Sequence, residues 1–429
     1  MDQYIICDQI CQSMPIPRLK SDIRDSLLKT LYEDIVHSFS KPIPPSIQPN
    51  FLEKTTKYIQ GENFSIIPEE IRDYIHTMDK GEHSKTAFVL PSGRSVLLYI
   101  WFPHKSTKRS VHKILKKIYQ WLSYLDTFVS DSCSKDLTIY LYMTKLCKKL
   151  PAKTITLDVN CINNAFSYPC KPTNEIYIYR EEEWFKVFIH ETMHAMGLDF
   201  AGYDYSKTSN RIHHIVFSGV PSNNIDLTEA YTETWAEILI ILINVYYTTH
   251  QLTYTRQVSQ IVEKSIYYEK VWALIQCIKV LNHQHISYQD LLLGQPYREN
   301  TAPVFAYFVL KAICMFHMED FLEWCNTHKI QQTSPVALPP SKLVVVGILP
   351  TDQTVHDASQ RSNRTRLSTD KKSHNISNIF VFHYSIHNIQ SFGDFIIKHA
   401  FSQMFTNCIN KIEYHNHHLG HSLRMSLWG

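Results

Sequence analysis

The chain has 429 residues, long enough for two or three domains, with 44% hydrophobic and 12% aromatic residues and a formal net charge of +3. That near-neutral balance gives no argument for nucleic-acid binding. The absence of any G-x-G-x-x-G or P-loop pattern among only 11 glycines removes the commonest nucleotide-binding classes. Ten cysteines are scattered without a C-x-x-C pair, which excludes a cysteine zinc ribbon and reads as mostly buried thiols in a reducing compartment. The opening MDQYIICDQICQSM has no basic region followed by a long apolar run, so no signal peptide is expected. The longest apolar run, Ile238 to Tyr247, is broken by Asn244 and too short for a membrane span.

In chain order, residues 1–82 read as a helical N-terminal region. Leu27, Leu28, Leu31, Ile35 and Val36 give an amphipathic spacing within Pro17–Phe39, the proline-rich KPIPPSIQP breaks it, and Pro68-Glu69-Glu70 starts a second helix. Thr86 to Pro103 then reads as two β-rich runs around Pro91-Ser92-Gly93, a hairpin signal. Residues 109–130 return to helical spacing, Leu137–Met143 is a strand, and Asn174–Arg180 is another, placed just before the next helix. If that last run is the sheet edge, its free backbone groups would align an extended peptide.

The helix that follows, EEEWFKVFIHETMHAMGLDF over Glu181–Phe200, carries the chemistry. Its acids suit the positive end of a helix dipole, and Gly197 is placed to end it. Apolar residues surround it nearly completely, so it should be buried, and buried polar groups without partners are costly. His190 and His194 lie four apart and therefore share one helix face, where two imidazoles can bind one zinc ion. Glu191, beside the first histidine, is then placed to act as general base toward water.

Residues 201–224 read as a polar loop containing His213 and His214. From Asp226 to about Tyr247 the chain is helical again, with Glu229, Glu233 and Glu237 on one stripe. Stacked like charges repel, and their setting among Trp235, Ile238 and Leu239 favours a buried cation opposite them. Ser259–Leu281 and Pro303–His317 read as buried helices of a lower lobe, and Tyr297–Thr301 as a surface loop. Thr351–Asn378 has the composition of a linker, Phe392–Ile409 reads as a helix, and His415, His417, His418 and His421 as a solvated tail. His383 and His387 share helical spacing but lack an adjacent carboxylate, so they carry no metal reading.

The two helices together resemble gluzincins, in which an H-E-x-x-H helix is followed by a helix bearing E-x-x-(small)-(D/E). Glu233-Thr234-Trp235-Ala236-Glu237 matches that second motif, which implies Glu233 as third zinc ligand and Glu237 orienting a histidine. Glu229-Ala230-Tyr231-Thr232-Glu233 is the alternative register, with Glu229 as ligand. A metzincin continuation is contradicted by Phe200 at its ligand position, which leaves Asp199 as an outer acceptor. Tyr231 is the first choice for stabilising a tetrahedral oxyanion, ahead of Tyr203, His213 and His214.

The strings NEIYIYREEEWFKVFIHETMHAMGLDF, EAYTETWAEI, YRENTAPVFAYFVLK and SLRMSLWG also resemble metallopeptidase-like proteins encoded by large DNA viruses. The likeness spans residues 85–330 and the last few. It implies a cytoplasmic or virion-associated protein and names no substrate. The expectation is thus an α+β, zincin-like core at 83–330: a small mixed sheet, an active-site helix and a helical lower lobe. A linker at 331–378 and a C-terminal helical segment with its His-rich tail at 379–429 complete the chain. Its expected function is zinc-dependent hydrolysis of a peptide or protein substrate. The alternative is a non-enzymatic virion or scaffold protein with a structural or vestigial metal site, for which Glu191 would have no use.

Overall fold

The computed structural model of the chain describes residues 3–12, 14–16, 19–52, 60–77, 81–103, 108–300, 302–328, 386–414 and 419–429. The expected linker over 331–378, with His383, His415, His417 and His418, lies outside them. Helix and strand are mixed around one six-stranded sheet of order β1-β2-β3-β4-β6-β5. Its strands are β1 (Asn50–Phe51), β2 (Glu82–Val89), β3 (Ser95–Phe102), β4 (Asp136–Tyr142), β5 (Ala165–Ser167) and β6 (Thr173–Ile178).

The expected hairpin is β2–β3, closed by Leu90 N–H to Arg94 O and Gly93 N–H to Leu90 O, both 2.9 Å, with Gly93 at φ +90°. β3, β4 and β6 run parallel. Their period-two patterns put two different rows on the two faces. Leu98, Ile139, Ile176 and Ser167 form one cross-strand row, and Tyr99, Tyr140, Tyr177 and Phe166 the other. The second row is a ladder of stacked rings with centroids 5.3, 4.6 and 4.7 Å apart. The edge on the far side is β5, antiparallel to β6, so the edge that the sequence left open is not Asn174–Arg180, whose β6 is an interior strand. Three residues are too few to show a period, and only pairing with β6 makes β5 a strand.

Helix α4 (Lys108–Leu125) connects β3 to β4, and α5 (Val159–Ile162) precedes β5. The H-E-x-x-H helix is α6 (Trp184–Ala195), packed against β5 and β6 and crossing α8 (Leu227–Thr249). Gly197 ends α6 as expected, at φ +66°, with Leu198 N–H bonded to Met193 O at 2.8 Å. The acids before α6 do not cap it: Glu183 is at φ 60° and its side chain is directed inward, onto Lys148 at 2.6 Å. Residues 201–224 are not simply a loop, because Ser206–Ile215 forms α7. Its polar sequence hid a thin apolar side on which Thr208 meets Gly393, where a Cβ would lie 2.3 Å from the threonine methyl.

The lower region holds α9 (Arg256–His283), capped by Thr255, and the short α10 (Tyr288–Leu292). A π-helical turn at Ala306–Leu310 leads into α11 (Lys311–Phe316), followed by α12 (Met318–His328). The single helix expected over Phe392–Ile409 is two, α13 (Ile386–Ala400) and α14 (Gln403–Glu413), because Ser402 accepts from Phe405 N–H and starts the second. In the N-terminal region, α1 (Gln3–Cys11) packs on α9, α2 (Lys29–Phe39) packs on α4 and α8, and α3 (Glu69–Thr77) lies at the tyrosine face. Residues 1–82 therefore share the central core, through Cys7, Leu28, Tyr32, Ile35 and Phe39, and pair through β1 with the sheet.

The last described stretch, 419–429, threads among the helices. Leu423 N–H bonds Lys148 O at 3.2 Å, while Met425 and Ser426 N–H bond the Glu183 carboxylate at 3.2 and 2.7 Å. Leu427 N–H bonds Glu269, and Lys311 bonds Met425 O at 3.0 Å. Cys133 and Cys170 form a disulfide, the one departure among the described residues from the reading of reduced thiols; Cys7, Cys11, Cys277, Cys314, Cys325 and Cys408 are buried and free. No helix among the described residues is long and apolar enough to cross a membrane.

Gly197 has no room for a side chain: a Cβ would lie 3.1 Å from Cys170 Cβ and 3.3 Å from Cys133 Sγ, at a left-handed φ. Gly197→Ala is expected to lower unfolding stability by about 1–2 kcal/mol from backbone conformation alone. Denaturant titration of the two proteins measures this, and equal midpoints would show that the helix end tolerates the change.

Candidate metal centre

α6 is built to be buried on every side, and its polar residues meet α8 and the sheet. The Nε2 atoms of His190 and His194 approach to 3.0 Å, and Glu229 Oε2 lies 3.1 Å from the first and 3.5 Å from the second. Donors held 2.0–2.1 Å from a tetrahedral zinc ion stand about 3.3–3.4 Å from one another, so this triangle fits one. Both Glu229 oxygens are buried and make no hydrogen bond of good geometry, the state expected of a carboxylate placed to take a cation. The donor set is two imidazoles and one carboxylate, which suits zinc.

Each histidine is backed on its other nitrogen. His194 Nδ1 contacts Asp199, whose second oxygen accepts Ala201 N–H at 3.0 Å. His190 Nδ1 lies 2.9 Å from Glu233, off the line of a good hydrogen bond, and Glu233 also pairs with Lys186. The geometry favours the alternative register: Glu229 completes the triangle, Glu233 stands beside His190 Nδ1, and Glu237 sits on Lys311 at 2.6 Å instead of on a histidine. Glutamates spaced four apart share a stripe, so spacing cannot fix which one meets the rings; the depth of the α6–α8 crossing does. Asp226 caps α8 by accepting Glu229 N–H at 3.0 Å and thereby places Glu229 in the first turn, level with the imidazoles. Thr232, which stands at the motif's small position in this register, is accommodated in the buried interface.

Charge follows the geometry. Burial alone would raise Glu229, yet the two imidazoles hold it well below the usual carboxylate range. Burial lowers His190, but Glu229 and Glu233 outweigh it and leave the ring at about 8. Burial raises the Glu191 carboxyl against the pull of both histidines. Ser167 Oγ donates to Glu191 Oε2 at 2.6 Å, fixing the rotamer of the carboxylate from the edge strand.

A cleft of about 340 Å³ opens on Glu191 and the triangle, lined also by Phe166, Ser167, Pro303 and Tyr307. A second of about 300 Å³ continues past Ala165, Glu191 and Tyr307 to Met425. Tyr307 stands edge-on to the His190 ring, centroids 5.9 Å apart. It was not singled out from sequence; its only signal is a tyrosine inside the apolar run VFAYFVLK. Tyr231 does not reach the cleft: it is fully buried among Phe200, Phe321 and Phe392. Tyr203 and His214 do not line it either, and His213 Nδ1–H donates to Val220 O, 2.7 Å away.

No family model matches the chain, and neither a curated protein nor a solved structure matches it. The site therefore stands on its own geometry.

The three glutamates should separate in a competitive chelator titration with Zn²⁺. Glu229→Gln is expected to lose most binding, and Glu233→Gln to weaken it about 10–100-fold, as the loss of a group that orients a ligand does. Glu237→Gln should bind nearly as wild type but lose about 3–5 kcal/mol of stability, because Lys311 is left buried and unpaired. If Glu233→Gln were the most damaging, the ligand would lie one turn further down α8.

Proposed function

We propose that this chain is a zinc-dependent peptidase of gluzincin type, with a zincin-like arrangement of sheet, α6 and α8. The observation that carries this reading is the convergence of His190 Nε2, His194 Nε2 and Glu229 Oε2 beside a carboxylate that binds no cation of its own, Glu191. Zinc held by those three residues would act as a Lewis acid, lowering the pKa of water toward 7 and polarising a carbonyl.

The chain's own residues supply the rest. Glu191 takes the proton of the attacking water and returns it to the leaving amine. Ser167 holds the Glu191 carboxylate toward the cleft by its 2.6 Å hydrogen bond. Asp199 and Glu233 keep the two imidazoles turned with Nε2 inward. The Tyr307 hydroxyl, kept protonated by burial and by Glu229, donates to the oxyanion that develops on the scissile carbonyl. Strand β5 bounds both parts of the cleft and ends the sheet, so an extended peptide can add to it by main-chain hydrogen bonds.

Hydrolysis of a quenched-fluorescent peptide library by the zinc-loaded protein tests the reading. Glu191→Gln should retain zinc and lose about 10²–10⁴-fold in turnover. Tyr307→Phe should lose about 10²–10³-fold in kcat with KM little changed. Near-normal turnover in zinc-loaded Glu191→Gln would remove the general base and with it the mechanism.

A further inference from the structure

A second convergence of ring nitrogens and a carboxylate lies where α11 turns into α12. His317 is the single residue between these helices, Asp320 is in the first turn of α12, and His399 is in the last turn of α13. One ligand atom from each lies within 4.8 Å of the other two. The imidazoles face one another with centroids 4.1 Å apart, and His399 Nε2 is 3.3 Å from Asp320 Oδ2. Both Nε2 atoms are buried without a hydrogen-bond partner, and His399 is only 4% exposed. Such atoms are rare in folded proteins, and a bound ion is one of the few conditions that accounts for them.

We propose that His317, Asp320 and His399 bind a first-row divalent transition ion, with Zn²⁺ the simplest, which pins α13 to the α11–α12 corner. Two imidazoles and a carboxylate suit such an ion better than calcium or magnesium, which take oxygen donors. Burial holds both imidazoles unprotonated, at about 3 and about 4, so their lone pairs are free near neutral pH. The distances must close to about 3.3 Å for tetrahedral binding. Asp320 is the residue able to move: its side chain is 33% exposed and is held by Lys20 at 3.4 Å, a pair open to solvent and therefore weak. Lys20 occupies the carboxylate an ion would need and so competes with it. Of the other ammonium groups nearby, Lys270 is already paired with Glu319 at 2.9 Å, and Lys398, next to His399 in the chain, acts on both rings through charge alone. The open side at Asp320 provides the entry path and leaves room for water to complete the coordination.

The site is separate from the α6–α8 centre, so the two can be counted independently. Chelator-stripped full-length protein is titrated with Zn²⁺ against a competing indicator. Wild type should bind two equivalents, and His399→Gln one. Asp320→Asn should weaken the second equivalent at least tenfold. Lys20→Gln should tighten it several-fold, a gain that a merely structural histidine pair would not produce. Should His399→Gln fail to fold, the exposed Asp320→Asn and Lys20→Gln still decide the matter. If the α6–α8 centre does not bind, wild type binds a single equivalent that His399→Gln abolishes, and this proposal stands alone. A wild type in which no equivalent responds to His399→Gln, Asp320→Asn or Lys20→Gln overturns it.

Discussion

A charge taken out of water must meet an opposite charge or a hydrogen-bonding partner, and the centre of this molecule is organised by that requirement. α6 and α8 bring Lys186, His190, Glu191, His194, Glu229, Glu233 and Glu237 into a region where each is less than a tenth exposed. Lys186 answers Glu233, Lys311 answers Glu237, and Lys148 answers Glu183. Replacing such pairs by apolar residues is often neutral in stability, so their value lies in register. A slip of one turn between α6 and α8 would leave several ions unpaired at once. The imidazole triangle is held by the same arithmetic that holds the helices.

Much of the site could be read from spacing, because a helix turns i, i+4 into a shared face regardless of context. The shared face of His190 and His194 followed from that alone, while Gly197 marked the stop and the turn residues Pro91-Ser92-Gly93 marked the hairpin of β2 and β3. The third corner of the triangle did not follow, since Glu229, Glu233 and Glu237 are equivalent under the same rule. Asp226 resolves them by capping α8, a fact of local backbone geometry that a motif does not contain. Asp199 was legible as an outer acceptor because it lies five residues from His194, within one turn of chain after the glycine. Tyr307 was not, because it comes from a segment more than a hundred residues away, and nothing local marks one tyrosine among 25.

The sheet shows how a short element escapes notice and still matters. Row by row, Leu98, Ile139 and Ile176 present apolar side chains to the main core, and the row ends in Ser167. A hydroxyl replaces a hydrocarbon at the one place where the sheet meets Glu191. The opposite row keeps an aromatic ring to its end, at Phe166. Alternation in β5 therefore separates a polar residue that steers a carboxylate from an aromatic one that covers the tyrosine ladder. Periodicity cannot reveal this in three residues, although pairing with β6 makes it plain.

The extended stretch at 423–427 carries a consequence for how the protein is made. Met425 N–H reaches Glu183 across 242 residues of sequence, and Lys311 reaches back to Met425 from the far side. Chains emerge from the ribosome N-terminus first, at about 5–20 residues per second. For the tens of seconds this interval implies, the helix bearing His190 and His194 exists without the backbone donors that neutralise the base of its first turn. Contacts synthesised long after the motif are thus among those that settle the ionic centre. A nascent chain can have the whole H-E-x-x-H motif outside the ribosome and still not have the site.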